Sequence, residues 1–185
     1  MAHYTGYIEV PHSSFNEWRS ATINNGYNVD YAFGEQCWDY VALLYWQYGR
    51  TLYTKVGGGG AQDCWLVSRD ANSQPPFESL TGKQNIKRGD ILVFGGNFGI
   101  GHISFADEDF NGDHPNYISS LGQNQQGNGS GWPVTVVDYP LANFLGIFRN
   151  TKWTSSPTPP TPTKDKVKKT KFPWPVALNH WYNKR

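Results

Sequence analysis

The chain has 185 residues, of which 38% are hydrophobic and 16% aromatic, and its formal net charge is +1. This length suits one domain with residues to spare, and the aromatic side chains can supply a large buried area although aliphatic residues are few. A net charge near zero gives no indication of nucleic-acid binding, and two cysteines are too few for a disulfide-stapled scaffold.

The first half of the chain is predicted to be helical. SFNE (Ser14–Glu17) has the form of a capping box, and the helix that follows it ends at NNG, residues 24–26. A second helix is predicted from about Gln36 to Tyr48, with apolar residues at the helical period and a glycine after it. AQDCWLVSRDA is predicted to be a short helix, and SQPPFESLTG a loop.

The second half is predicted to be built from strands. Five short runs rich in Ile, Val and Phe have turn residues at their ends, and the first two of them form a hairpin through NFGI. The runs are GDILVFGG (89–96), GHISFA (101–106), NYISSLGQ (116–123), PVTVVDY (133–139) and FLGIFRN (144–150). Helices followed by strands indicate an α+β fold.

The composition changes after Trp153. Residues 154–166 begin with TSSPTPPTPT, which cannot bury a core and predicts a semi-rigid linker. Residues 167–185 form a tail that is too short for a conventional domain. We therefore expect a folded domain over residues 1–153, a linker and a tail.

Cys37 lies at the predicted start of the second helix. Unpaired N–H groups and the partial positive charge of a helix N-terminus stabilise a thiolate, so we expect a lowered pKa and a nucleophilic sulfur. Gln36 and the Cys37 N–H are candidate donors to an oxyanion. The alternative is a small buried apolar residue. The polar neighbours Glu35, Gln36 and Asp39 favour the nucleophile.

A nucleophilic thiol needs a base, and GHISFA offers one. Alternation along a strand places His102 and Ser104 on one face and the apolar residues on the other, as expected for a histidine presented to a cleft. The alternative is an ordinary surface histidine. LGQNQQG, at the end of the next strand, offers Asn124, Gln123 and Gln125 as groups that orient the imidazole, and Asn124 is the preferred candidate.

The segments GEQCWDY, RGDILVF, GHISFA and LGQNQ occur in this order, and over residues 14–150 the chain resembles the CHAP domain of phage endolysins and bacterial wall hydrolases. The resemblance implies a papain-like fold with N-terminal helices on an antiparallel sheet, Cys37 as nucleophile and His102 as general base, with Gln36 before the nucleophile. Many members carry an acidic residue where this chain has Gly122, which leaves Asn124 as the implied orienting residue.

A calcium loop is predicted just before Cys37. Counting Asn28 as position one, Asp30 is three and Asp39 is twelve, which follows EF-hand-like spacing, with backbone oxygens from Ala32 and Gly34 between them. Some phage CHAP domains have a similar loop. The ion would be structural and no organic cofactor is expected. The alternative is that the polar residues are turn formers and a helix cap.

Together these features predict a thiol-dependent peptidoglycan hydrolase, either an amidase or an endopeptidase. The alternatives are a cysteine peptidase or amidase on another substrate, and an inactive wall-binding module. KDKVKKTK (164–171) and the aromatic residues after it predict contact with an anionic wall polymer or membrane surface. The N-terminus has no basic stretch followed by an apolar one, so no secretory signal is expected there. The resemblance to phage endolysins implies synthesis in a host cytoplasm and action on the wall after release, or as part of a virion.

Overall fold

A computed structural model describes residues 1–55, 59–96, 100–125 and 133–153, and the structural statements below concern these residues. The predicted linker and tail lie outside them. Within this part of the chain, none of the helices combines the length and apolar character needed to cross a bilayer.

The helices begin and end close to their predicted positions. The helices are α1 (Phe15–Thr22), α2 (Cys37–Gln47), α3 (Asp63–Leu66) and α4 (Arg69–Asn72), followed by a 3-10 turn at Lys83–Asn85. The capping box at α1 is half formed. The Ser14 side chain accepts the Glu17 N–H at 3.2 Å, but the Glu17 carboxylate turns to the Ser13 N–H instead of Ser14. The predicted third helix is divided into α3 and α4.

Six strands form one sheet, namely β3 (Phe77–Leu80), β4 (Ile91–Phe94), β5 (His102–Ala106), β6 (Tyr117–Gly122), β7 (Thr135–Pro140) and β8 (Phe144–Asn150). Their order in the sheet is β3-β8-β4-β5-β6-β7, and every neighbouring pair is antiparallel. The five predicted strands are all present and the α+β fold is confirmed. The prediction of a loop over SQPPFESLTG is wrong, because Phe77–Leu80 pairs with β8 at the edge of the sheet.

A small second sheet lies near the N-terminus. It consists of two parallel strands, β1 (His3–Thr5) and β2 (Gly26–Asn28), with Tyr4 paired to Tyr27. This pairing fixes the start of the segment that leads into α2.

Helix α2 is buried in the core of the domain. Every residue of α2 from Asp39 to Tyr45 is buried, as expected for a helix that is apolar on all sides and covered by other elements. It packs against β5, whose five residues are also buried. The larger core cluster, with Tyr40, Ile103 and Phe105, lies between this helix and the sheet. The first residues of α2 and β5, Cys37 and His102, are therefore positioned by the core.

Candidate active site

Cys37 is the first residue of α2, and the helix starts there because its cap is well formed. Gln36 has extended backbone, and its N–H donates to Asp39 Oδ2 at 2.8 Å. The other oxygen of Asp39 accepts the Val29 N–H at 2.8 Å. The buried Asp39 carboxylate thus ties the incoming loop to the first turn of the helix, and the predicted helix-terminal position of Cys37 is confirmed.

The thiol of Cys37 lies beside the backbone amide of Ile103, the residue after His102, and Cys37 retains partial solvent exposure. Burial of the sulfur raises the pKa of Cys37 to about 11, although the nearby N–H groups of Ile103 and Trp38 act in the opposite direction. The expectation of a lowered pKa is therefore wrong. Loss of hydration outweighs the helix N-terminus, so the sulfur is a neutral thiol at pH 7.

His102 begins β5 and is only 7% exposed. Its ring stacks on Tyr139, with centroids 4.7 Å apart and 17° between the planes, and Phe94 lies on the same apolar wall. Burial lowers the pKa of His102 from 6.5 to about 4, with Gln125 opposing that shift as a hydrogen-bonding neighbour. The imidazole is neutral at pH 7, and its burial excludes the alternative of an ordinary surface histidine.

Asn124 does not contact His102 by a hydrogen bond in the described part of the chain. Its Nδ2 donates to Gln36 Oε1 at 3.0 Å, and its backbone is left-handed with φ of 54°. Its Oδ1 is buried and has no partner among the described residues. The geometry thus connects Asn124 to the residue before the nucleophile, whereas the sequence suggested a role in orienting the imidazole.

Gln36 lies at the mouth of the candidate site and both ends of its amide are engaged. Its Nε2 donates to Phe33 O at 2.7 Å, which leaves one N–H of that group for an oxyanion. Gln123, which is fully buried, donates from Nε2 to Gln36 O at 2.8 Å and to Tyr27 O at 2.7 Å. Sequence reasoning considered Gln123 only as an orienting group, yet it anchors the segment before Cys37.

The predicted calcium loop has some features that fit a cation. Asn28 Oδ1 is buried without a partner among the described residues, and Phe33, at position six, has φ of 57° where an EF-hand uses glycine. Asp30 Oδ1 accepts the Ala32 N–H at 2.8 Å, as in the alternative reading as a turn former. Asp39 caps the helix as described above. The oxygen donors suit a hard cation and are compatible with Ca²⁺. Some of these oxygens, however, already accept hydrogen bonds from backbone N–H groups.

The remaining cysteine and histidines have structural surroundings. Cys64 is fully buried in α3, and both cysteines are free, so a disulfide does not consume the Cys37 thiol. His3 pairs with Glu35, and the His12 Nδ1 lies 2.8 Å from Val10 O. His114 is exposed and His180 lies outside the described residues. His102, in contrast, begins the strand that packs against the Cys37 helix.

Comparison with known proteins decides the family. The model of the CHAP domain matches residues 26–124, which is more than half of the chain and contains both Cys37 and His102. The chain belongs to the CHAP domain family. The resemblance to the CHAP domain that the sequence indicated is thus confirmed.

Two relatives extend this result. The D-alanyl-L-alanine endopeptidase of Streptococcus phage B30 is 26% identical over 140 residues, which are 74% of this chain and 30% of that protein. The crystal structure of the wild-type endolysin LysIME-EF1 matches with a TM-score of 0.58 and 22% identity, over 77% of this chain and 66% of that one. This CHAP chain therefore shares its fold with an endolysin and spans about a third of the length of the endopeptidase.

Proposed function

We propose that this chain is a peptidoglycan hydrolase of the endolysin type, in which Cys37 cuts an amide bond. The observation that carries the proposal is the position of the Cys37 thiol beside the start of β5, in a CHAP domain whose β5 begins with a buried, neutral His102. One similar protein is named a phage endopeptidase and the other is named an endolysin. The alternatives are a cysteine peptidase or amidase on another substrate, and an inactive wall-binding module.

The reaction starts from a neutral thiol and a neutral imidazole. His102 takes the proton of Cys37 as the sulfur attacks the scissile carbonyl, so that thiolate forms only with the tetrahedral intermediate. The N–H of Cys37 at the helix start and the remaining N–H of Gln36 Nε2 are the donors for the oxyanion. This route differs from a preformed thiolate because burial raises the pKa of Cys37 to about 11.

Collapse of the intermediate breaks the C–N bond. The imidazolium of His102 gives its proton to the leaving amine, and the acyl group stays on Cys37 as a thioester. His102 then removes a proton from water, which attacks the thioester and releases a carboxylic acid while the sulfur regains its proton. The products are one new amine end and one new carboxyl end for each bond.

The bond is best identified by mass spectrometry of purified Gram-positive sacculi digested with the full chain. We infer a peptide bond within the stem or cross-bridge as the first candidate, because the phage B30 relative is named an endopeptidase. An amidase would instead release whole stem peptides from muramic acid. Sacculi that bind the protein but gain no new ends would refute hydrolysis and favour a wall-binding module.

We propose that Asn28, Asp30, Ala32, Gly34 and Asp39 hold a structural Ca²⁺. Bound there, the ion would supply only charge and rigidity to the loop before Cys37. The unpartnered Oδ1 of Asn28 supports this assignment. Binding of Ca²⁺ to the purified protein, followed by calorimetry, tests it independently of wall cleavage.

The tail and the site of action remain our proposals as well. We expect the lysines of residues 164–171 to contact an anionic wall polymer or a membrane surface, and the protein to reach the wall after release from a host cytoplasm or as part of a virion. Replacing those lysines by glutamine should weaken sedimentation with sacculi while leaving soluble-fragment cleavage unchanged. Unchanged sedimentation would contradict a role for the tail charge.

A further inference from the structure

The side chain of Gln125 is held in one orientation. Its Nε2 donates to Ser120 O at 3.0 Å and to Thr135 O at 2.7 Å. Because both partners are carbonyl oxygens, which only accept, the nitrogen of the amide must face them and the oxygen must face the opposite way. The assignment of Oε1 therefore follows from the hydrogen bonds.

The oxygen of Gln125 faces a small polar pocket behind β5. It lies 2.9 Å from Ser120 Oγ, which lies 2.7 Å from Ser104 Oγ, and both serines are fully buried. The pocket exists because residue 122 is glycine, since a Cβ there would lie 2.9 Å from Gln125 Cδ and 3.0 Å from Oε1. The amide thus fills space next to β6 that any other residue at position 122 would occupy.

His102 lies two residues before Ser104 on β5, so their side chains share one face of the strand. Nε2 of His102 is buried and has no hydrogen-bond partner among the described residues. The Gln125 amide lies near the imidazole, and as a hydrogen-bond acceptor it opposes the lowering of the His102 pKa by burial. A buried ring nitrogen without a partner and an acceptor held in a fixed orientation are therefore both present on this side of β5.

We infer that Gln125 is the positioning residue for His102, with Oε1 accepting the Nε2–H when the site is assembled for reaction. This assignment rests on the proposed function and replaces Asn124 in that role. A proton held on Nε2 leaves Nδ1 unprotonated, and Nδ1 is then the nitrogen that takes the proton of Cys37. Hydrogen bonds in such sites are often long before substrate binds.

A neutral amide has a chemical consequence that a carboxylate would not have. It orients the ring without strongly stabilising the imidazolium, so the imidazolium readily returns its proton to the leaving amine. Ser120 and Ser104 support the amide from behind, and the two carbonyl acceptors prevent it from turning over. The groups that hold the Gln125 amide and its serine neighbours belong to β5, β6 and the start of β7.

The direct test is the tautomer of His102, read by long-range ¹H–¹⁵N NMR on the full chain with labelled histidine. The His102 signals are assigned from their loss in His102→Gln. We expect the Nε2–H form in the wild type and loss of that preference in Gln125→Met, which removes the acceptor with little change in length. A wild-type Nδ1–H form overturns the assignment, even if Gln125→Met does not fold.

The kinetic test uses the same variant. In Gln125→Met, kcat on sacculi should fall about 10- to 100-fold with KM changed less than about threefold, because misorientation of a base acts on the chemical step. An unchanged kcat in a folded Gln125→Met protein overturns the assignment.

A matched control separates positioning from folding. Gln47 is also an amide that bridges backbone groups, donating to Ile8 O at 2.9 Å and accepting from the Val10 N–H at 3.3 Å, but it lies at the far end of α2. Gln47→Met should lower Tm without changing kcat or the His102 tautomer. The tautomer is measured without substrate, so a failure to cut peptidoglycan would refute the proposed function while leaving this result readable.

Discussion

The imidazole of His102 lies flat against the ring of Tyr139, with centroids 4.7 Å apart and 17° between the planes. Tyr139 is on β7, three strands from β4 in the sheet, and Phe94 of β4 lies 4.6 Å from the same tyrosine ring. Tyr139 and Phe94 fix the plane of the His102 imidazole. The polar group behind β5, with Gln125, fixes how the ring is turned within that plane. The two constraints act on different degrees of freedom of one side chain.

Tyr139 should therefore matter through its ring and not through its hydroxyl. We expect Tyr139→Phe to retain activity within about twofold, and Tyr139→Ala to lower kcat about tenfold or more, because the imidazole loses its stacking partner. Initial rates on sacculi at saturating concentration check this. Equal loss in both variants would mean that the hydroxyl is the functional group.

Stability should depend on pH through His102. Its pKa is about 4 in the folded protein and about 6.5 when unfolded, so the unfolded chain binds the proton more tightly. The stabilising contribution is fully present above pH 6.5 and is lost as pH falls through 4, at a cost of about 3 kcal/mol. Urea denaturation from pH 7 to 4 should show this loss relative to His102→Gln. Parallel curves for the two proteins would contradict a buried neutral histidine.

Cys37 should react slowly with iodoacetamide at neutral pH. A pKa of about 11 gives roughly 100-fold less thiolate than a thiol with the ordinary value of 9.0, and the rate should rise about tenfold for each pH unit. Mass spectrometry of the Cys37 peptide measures the rate, with buried Cys64 as the internal control that stays unmodified. Rapid alkylation at pH 6 to 7 would instead indicate a preformed thiolate–imidazolium pair.

The calcium proposal predicts a metal-dependent Tm. Chelation should lower Tm and added Ca²⁺ should restore it, and Asp30→Ala should abolish that response, because the ion would bind only the folded loop. Asp113→Ala is the control, since Asp113 is an exposed loop aspartate elsewhere in the chain. A wild-type Tm that is insensitive to chelator and to Ca²⁺ would contradict the site.

The sequence predicts a helix or strand well where the pattern that indicates it lies in neighbouring residues. The periodicity of α2 and the glycine-bounded strands β4 and β5 are local, and these elements were predicted nearly to the residue. Strand β3 was missed because its segment follows two prolines and is short. It becomes a strand only by pairing with β8, about 70 residues away, which no local pattern reveals.

The candidate site likewise has features that local sequence patterns predict and features that depend on how the chain packs. The helix start at Cys37 and the histidine strand are local features, and their juxtaposition follows from packing of α2 on β5. The pKa of Cys37 was expected to fall because the sequence reveals a helix N-terminus but not the burial that outweighs it. The choice between Asn124 and Gln125 depends on the left-handed turn at Asn124, which sends its side chain to Gln36. Tyr139 carries no sequence signal that marks it as a partner of His102.

The central claim is that one of the two cysteines breaks amide bonds of peptidoglycan. The most direct measurement is the release of new amine ends from purified sacculi by the wild type, Cys37→Ala and Cys64→Ala, each shown to be folded by its thermal transition. We expect release by the wild type and by Cys64→Ala, and a loss of at least 1,000-fold, to about background, in Cys37→Ala. Comparable release by Cys37→Ala would contradict the account.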